Sequence, residues 1–175
     1  LNSCLYAESP VELLRHLEKL KTRVSGLKGD LIKHQQKIYF IELLYVMNFG
    51  SGREAGLRVA SILRWLDRNS KRVEPATLYF FHYNCAIFFF LRGQTSESLV
   101  HINWILNFNP VEIRNDMKAF ARLFQLVLHY EQENTDFIEY RLRSLKRNAK
   151  NAFSPQGLER TLLIFFEALL RLPEN

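Results

Sequence analysis

Glycine and proline are scarce, at seven and five residues in a chain of 175. Tight turns depend on those two types, so their shortage excludes a sheet protein of many short strands and points to long helices. Cysteine is scarcer still. Cys4 and Cys85 are the only two and form no CxxC, which argues against a disulfide framework or a thiolate zinc site. No apolar run reaches the roughly 18 residues needed to span a bilayer; the longest, from Leu78 to Leu91, contains His82 and Asn84. The chain opens on Leu rather than Met, as expected of a processed chain or an excised fragment.

Signatures of catalysis are also missing. No GxSxG, Walker, Rossmann or HExxH pattern occurs. The stretch GSGRE at 50–54 lacks the GK[ST] ending and follows no strand, so it reads as an interhelical turn. His16, His34, His82, His101 and His129 are dispersed. His129 could share a helix face with Glu133, with Glu131 nearby, but two such residues do not make a metal site. Cys85 lies inside an apolar stretch and reads as a packing residue. No enzyme, metal or cofactor is expected.

What the chain does contain is apolar surface. Apolar residues make up 47% and charged residues 24%, a globular balance, and 14 Phe with 7 Tyr promise an aromatic core. The net charge of +6 permits an acidic or nucleic-acid partner without requiring one.

Helix starts are marked by SPVE at 9–12 and NPVE at 109–112, where Ser9 or Asn109 can cap, Pro10 or Pro110 can open the first turn and Glu12 or Glu112 can complete a capping box. Asp30 and Asn134 or Thr135 are further candidate caps. Leu13, Leu17, Leu20 and Val24 recur at helical spacing, as do Val59, Ile62, Leu63 and Leu66, backed by Arg58 and Arg64. Leu158, Leu162, Phe165, Phe166 and Leu169 form a third stripe. Helices are expected near 10–24, 30–48, 53–69, 75–92, 95–107, 111–132, 135–150 and 155–171. The fold class is all-α, about eight helices in one domain over 1–175. Helix pairs occupy 30–69, 75–108 and 111–150, with flanking helices at 10–24 and 155–171. Polar joints at 49–52, 92–95 and 132–135 set a period of about 40 residues.

One unit is the most legible. His82, Cys85, Ala86, Phe89, Gly93, Ser98, Ile102 and Pro110 follow the spacing of the tetratricopeptide pattern. Residues 79–112 therefore resemble a tetratricopeptide repeat, with His82 where Trp is usual and Ile105 where a small residue is usual. Tyr39, Leu43, Val46, Gly50, Ala55 and Val59 fit a second, degenerate copy, from which Glu42 and Asp67 depart. Later segments are similar to uncharacterised bacterial tetratricopeptide-like proteins. The resemblance implies antiparallel helix pairs stacked as a short right-handed superhelix, a divergent α-solenoid. It also implies that Lys37, Phe40, Leu44 and Met47, then Phe80, Tyr83, Ile87 and Phe90, face a groove for an extended or helical peptide. The competing reading is a central helix buried on every side. Phe88 and Phe89 are expected to be buried, while Phe80, Tyr83 and Phe90 stay open between the two.

Basic residues collect near two helix ends: Arg64, Arg68, Lys71 and Arg72, then Arg143, Lys146, Arg147 and Lys150, with Arg141 nearby. Favourable interaction with the helix dipole explains them without a ligand. A ridge that docks nucleic acid or an acidic surface is the functional alternative. The leading expectation is a non-catalytic protein- or peptide-binding scaffold, cytoplasmic or the soluble part of a larger protein, with no membrane span. Its partner and oligomeric state are not encoded in any motif.

Overall fold

The computed structural model describes residues 10–26, 29, 31–108, 115–152 and 158–169; within these, the side chains of 115, 116, 145–152, 158, 159 and 162 lie outside the description. The described residues form eight α-helices and no strand: α1 Pro10–Ser25, α2 Ile32–Phe49, α3 Gly52–Asn69, α4 Pro75–Leu91, α5 Thr95–Asn107, α6 Asn115–Glu131, α7 Thr135–Ala152 and α8 Leu158–Leu169. A short 3-10 turn, Ser70–Arg72, extends α3 and was not anticipated from the pattern. No described helix is long and apolar enough to cross a membrane.

Several helix ends follow from local chemistry. Pro75 is the first residue of α4, where its missing N–H costs nothing. Asn134 Oδ1 accepts the Phe137 N–H at 3.2 Å and caps α7. Ser9, Asp30, Asn109 and Pro110 lie outside the described residues, and Leu31, without a side-chain cap bond, precedes α2.

The chain divides into two compact units, 1–85 and 86–175, with the boundary inside α4. In the first unit α1 packs on α2 and α2 on α3. Leu13, Leu17 and Ile38 form one buried cluster, with Val24, Ile41 and Tyr45 packed against it. Leu43, Val46, Ala55, Val59, Ile62 and Phe81 are almost wholly buried. Each large side chain so buried contributes about 1.5–3 kcal/mol. Leu20 departs from its expected stripe and is 40% exposed.

In the second unit α5 packs on α6 and α6 on α7, and α8 touches both α6 and α7. Leu123, Leu126, Ile138, Leu142 and Phe166 form its core, with Val127 and Leu163 against them. Within the third expected stripe Phe166 points inward while Phe165 is 52% exposed. Ala86 and Ser98 are fully buried where α4 meets α5, and Ser98 Oγ donates to the Ala86 carbonyl at 2.7 Å. Two small residues at that point permit the close approach.

The joints at 92–95 and 132–135 share one hydrogen-bond pattern. Gly93 N–H donates to Phe90 O and Gln94 N–H to Phe89 O; forty residues later Glu133 N–H donates to Tyr130 O and Asn134 N–H to His129 O. Both are Schellman-type helix ends that need a left-handed residue, supplied by Gly93 at φ 69° and Glu133 at φ 56°. The joint at 49–52 differs, ending α2 through Gly50 N–H to Val46 O.

Candidate functional site

In the first unit, Lys37, Phe40, Leu44 and Met47 fall on one stripe of α2, Lys37 exposed and the other three half-buried. The Phe40 ring meets Phe80 and Phe81 edge-on, at centroid distances of 5.8 and 6.1 Å. α4 therefore sends neighbouring rings opposite ways: Phe81 is fully buried against Phe40 and Trp65, while Phe80 is 48% exposed. Tyr83 is half-buried, and burial raises its phenol pKa. Two amides border this apolar patch, and both fold onto their own helix. Asn48 Nδ2 donates to Leu44 O and Asn84 Nδ2 to Phe80 O, each at 2.7 Å.

Ile87 and Phe90 belong to the second unit and are half-buried there; Phe90 meets Phe124 edge-on at 5.3 Å. Phe88 is buried as expected. Phe89 is not: it is half-buried, stacked parallel on His101 of α5 at 5.4 Å, and it is His101 that is buried. The second unit also exposes Phe120 and Tyr130, by 41% and 40%. Neither was singled out from the sequence. The signal was present, since Phe40, Phe80 and Phe120 are spaced by 40 residues, as are Phe90 and Tyr130.

Arg64, Arg68, Lys71 and Arg72 are all exposed at the end of α3 and in the 3-10 turn. Among the described residues Arg64, Arg68 and Lys71 make no ion pair. Arg143 is exposed but pairs with Glu139 one turn earlier. The side chains of Lys146, Arg147 and Lys150 lie outside the described residues. Arg141 turns inward, donating to Gln125 Oε1 at 2.8 Å and lying over the Phe137 ring.

The sequence reading missed a charged cluster that joins α1, α2 and α3. Glu42 is 1% exposed, yet its Oε1 accepts from Lys21 at 2.5 Å and from Arg58 at 3.0 Å. Arg58 also reaches Glu18 at 2.8 Å and Glu54 at 3.0 Å. Burial by itself would depress the Arg58 pKa, but the hydrogen bonds from Glu18, Glu54 and Glu42 outweigh it and raise it. The Arg58 bond in turn lowers the Glu18 pKa. Arg58 therefore lies half-buried against three carboxylates rather than in solvent beside the apolar stripe, and Glu42, which does not fit the tetratricopeptide spacing, anchors this cluster. The signal was a lone acid in an apolar helix, with Glu54 one turn before Arg58. Among the described residues Glu42 Oε2 has no hydrogen-bond partner.

Among the described residues the candidate nucleophile and histidines stand apart. Cys85 is fully buried, and burial pushes its thiol up to about 12, far from a nucleophile's range. His129 is buried, stacks on Phe137 and contacts Asn134 through Nδ1; Glu131 and Glu133 are exposed. No group of three or more His, Cys, Asp or Glu among the described residues could hold a metal ion. An open cleft of about 320 Å³ in the second unit is lined by Tyr130, Glu131, Glu133, Thr135, Ile138, Phe166 and Leu169, without a nucleophile–base pair. Comparison with protein-family models, curated proteins and solved structures finds no match to this chain.

Proposed function

We propose that the chain is a non-catalytic module that binds a protein or peptide, built as a short tetratricopeptide-like stack of helix pairs. One observation carries the reading. Phe80, on the most apolar of the described helices, is 48% exposed beside Phe40, and the two amides that border this patch, Asn48 and Asn84, are bonded to their own backbone. A large aromatic left outside a core is a common anchor for a partner. The test places photoreactive benzoylphenylalanine at Phe80 and, as control, at Leu57, which is 59% exposed on α3. Cross-links to a protein in extract from the native source should form from position 80 and not from 57. The same products from both positions, or none from 80, would overturn the reading.

A second reading has its own support in Arg64, Arg68 and Lys71, exposed cations that make no ion pair among the described residues. A nucleic-acid backbone binding there would weaken steeply with salt, by about 0.7–0.9 log units per log unit of salt for each phosphate contacted. Replacing all three by Gln should flatten that slope. Binding that ignores salt, or ignores the triple variant, removes this reading.

A further inference from the structure

We propose that the apolar face shared by α2 and α4 in the first unit selects a peptide whose apolar or aromatic anchor is flanked by acidic residues. This inference rests on the peptide-binding reading above and deepens it. The stripe that carries Phe40 and Leu44 begins with Lys33 and Lys37, four residues apart on the same face of α2. Along the helix axis Lys37 lies about 4.5 Å and Lys33 about 10.5 Å from Phe40, at 1.5 Å per residue. Both lysines are exposed, and neither makes an ion pair among the described residues.

Among the described residues of α2 and α4 the charge is one-sided. The single acid of α2 is Glu42, which is buried and already engaged by Arg58 and Lys21. From Pro75 to Leu91 α4 carries no acidic or basic residue except His82. Glu74, exposed just before α4, pairs with neither lysine. Among the described residues the face therefore presents two positive charges without an acidic partner at one end and apolar side chains beyond them. Past Phe40 it continues through Leu44, Phe80 and Tyr83 with no further cation. That sequence of surfaces suits an apolar anchor followed by carboxylates, and it repels a basic flank. A phosphate chain would need cations along its whole track.

The test is a selection of random 12-residue peptides displayed on phage against the whole chain, with the Phe80→Glu chain as counter-selection. Enriched peptides should combine an apolar or aromatic anchor with Asp or Glu within about seven residues, the span of the lysines. One enriched peptide is then titrated against the native chain and the Lys33→Ala/Lys37→Ala chain. The double substitution should weaken binding about tenfold at low salt, and the difference should shrink in 1 M salt. Phe80-dependent peptides without acidic enrichment, or an unchanged affinity in the double variant, overturn the acidic preference and leave peptide binding standing. Absence of any Phe80-dependent peptide overturns both. Polyuridine bound through Lys33 and Lys37 would replace the peptide by a nucleic acid.

Discussion

At the scale of single residues, Glu42 and Arg58 make the clearest energetic claim. A buried carboxylate is tolerated only when paired, and removal of one partner typically costs about 3–5 kcal/mol. Arg58→Met should approach that cost in urea unfolding, because among the described residues Glu42 would keep only Lys21 and its Oε2 already has no partner. Glu18→Ala, which removes a half-exposed acid from the same arginine, should cost less than about 1 kcal/mol. Adding Glu42→Met to the Arg58→Met chain should recover most of the loss. Equal costs for Arg58→Met and Glu18→Ala would show that the buried carboxylate is not what Arg58 serves.

His101 makes a pH-dependent claim. It is buried against Phe89, and burial lowers its pKa from 6.5 to about 4. Between those values the unfolded chain binds the extra proton and the folded chain does not. The His101 contribution is therefore complete above about pH 6.5 and is lost as pH falls toward 4, at up to about 1.4 kcal/mol per pH unit. His129 is shifted in the same direction by burial and then by Arg141, so it adds to the acid sensitivity. Stability measured from pH 7.5 to 4 should show a shallower decline in His101→Phe than in the native chain. Parallel profiles would place the acid sensitivity elsewhere.

At the scale of elements, the three joints separate two reasons for glycine. Gly93 is needed for its left-handed φ, and nothing crowds a Cβ there. Gly50 has an ordinary φ of −77°, but a Cβ would sit 2.6 Å from Val46 O and 3.1 Å from the Ala55 Cβ. Gly93→Ala should cost about 1 kcal/mol. Gly50→Ala should cost more, because backbone rather than a flexible side chain must shift. Glu133 occupies the position equivalent to Gly93 with a side chain in left-handed conformation, so Glu133→Gly should gain up to about 1 kcal/mol. Thermal unfolding of the three variants would rank them, and a lower melting temperature for Glu133→Gly would refute the account. The joints themselves were readable, because polar turn residues interrupt apolar periodicity. The unlike roles of Gly50 and Gly93 were not, since a missing Cβ looks the same in sequence whether φ or space demands it.

At the scale of the whole molecule, the helices were legible through 3.6-residue apolar spacing and proline at the starts of α1 and α4, while the expected starts near 111 and 155 and the end near 171 lie outside the described residues. Orientation was legible where a helix has distinct faces, as for Leu13 and Leu17 on α1 and Val59 and Ile62 on α3. It was not legible on α4, which is apolar all round. There periodicity cannot choose between Phe80 and Phe81, and contact with Phe40 and Trp65 made the choice.

The basic clusters show the same limit. Composition announces a net charge of +6, but only packing turned Arg141 inward, tied Arg58 to three carboxylates and left Lys33 and Lys37 without an ion pair among the described residues. Sequence alone determined that the described residues are helical and, within a few residues, where the joints between their helices fall. Those properties depend on neighbours within a few residues. Tertiary structure decided which aromatic rings remain exposed and which charges remain uncompensated. Burial and pairing depend on residues 16 to 40 positions apart, such as Glu42 with Arg58 and Phe40 with Phe80, which only the packed helices bring together.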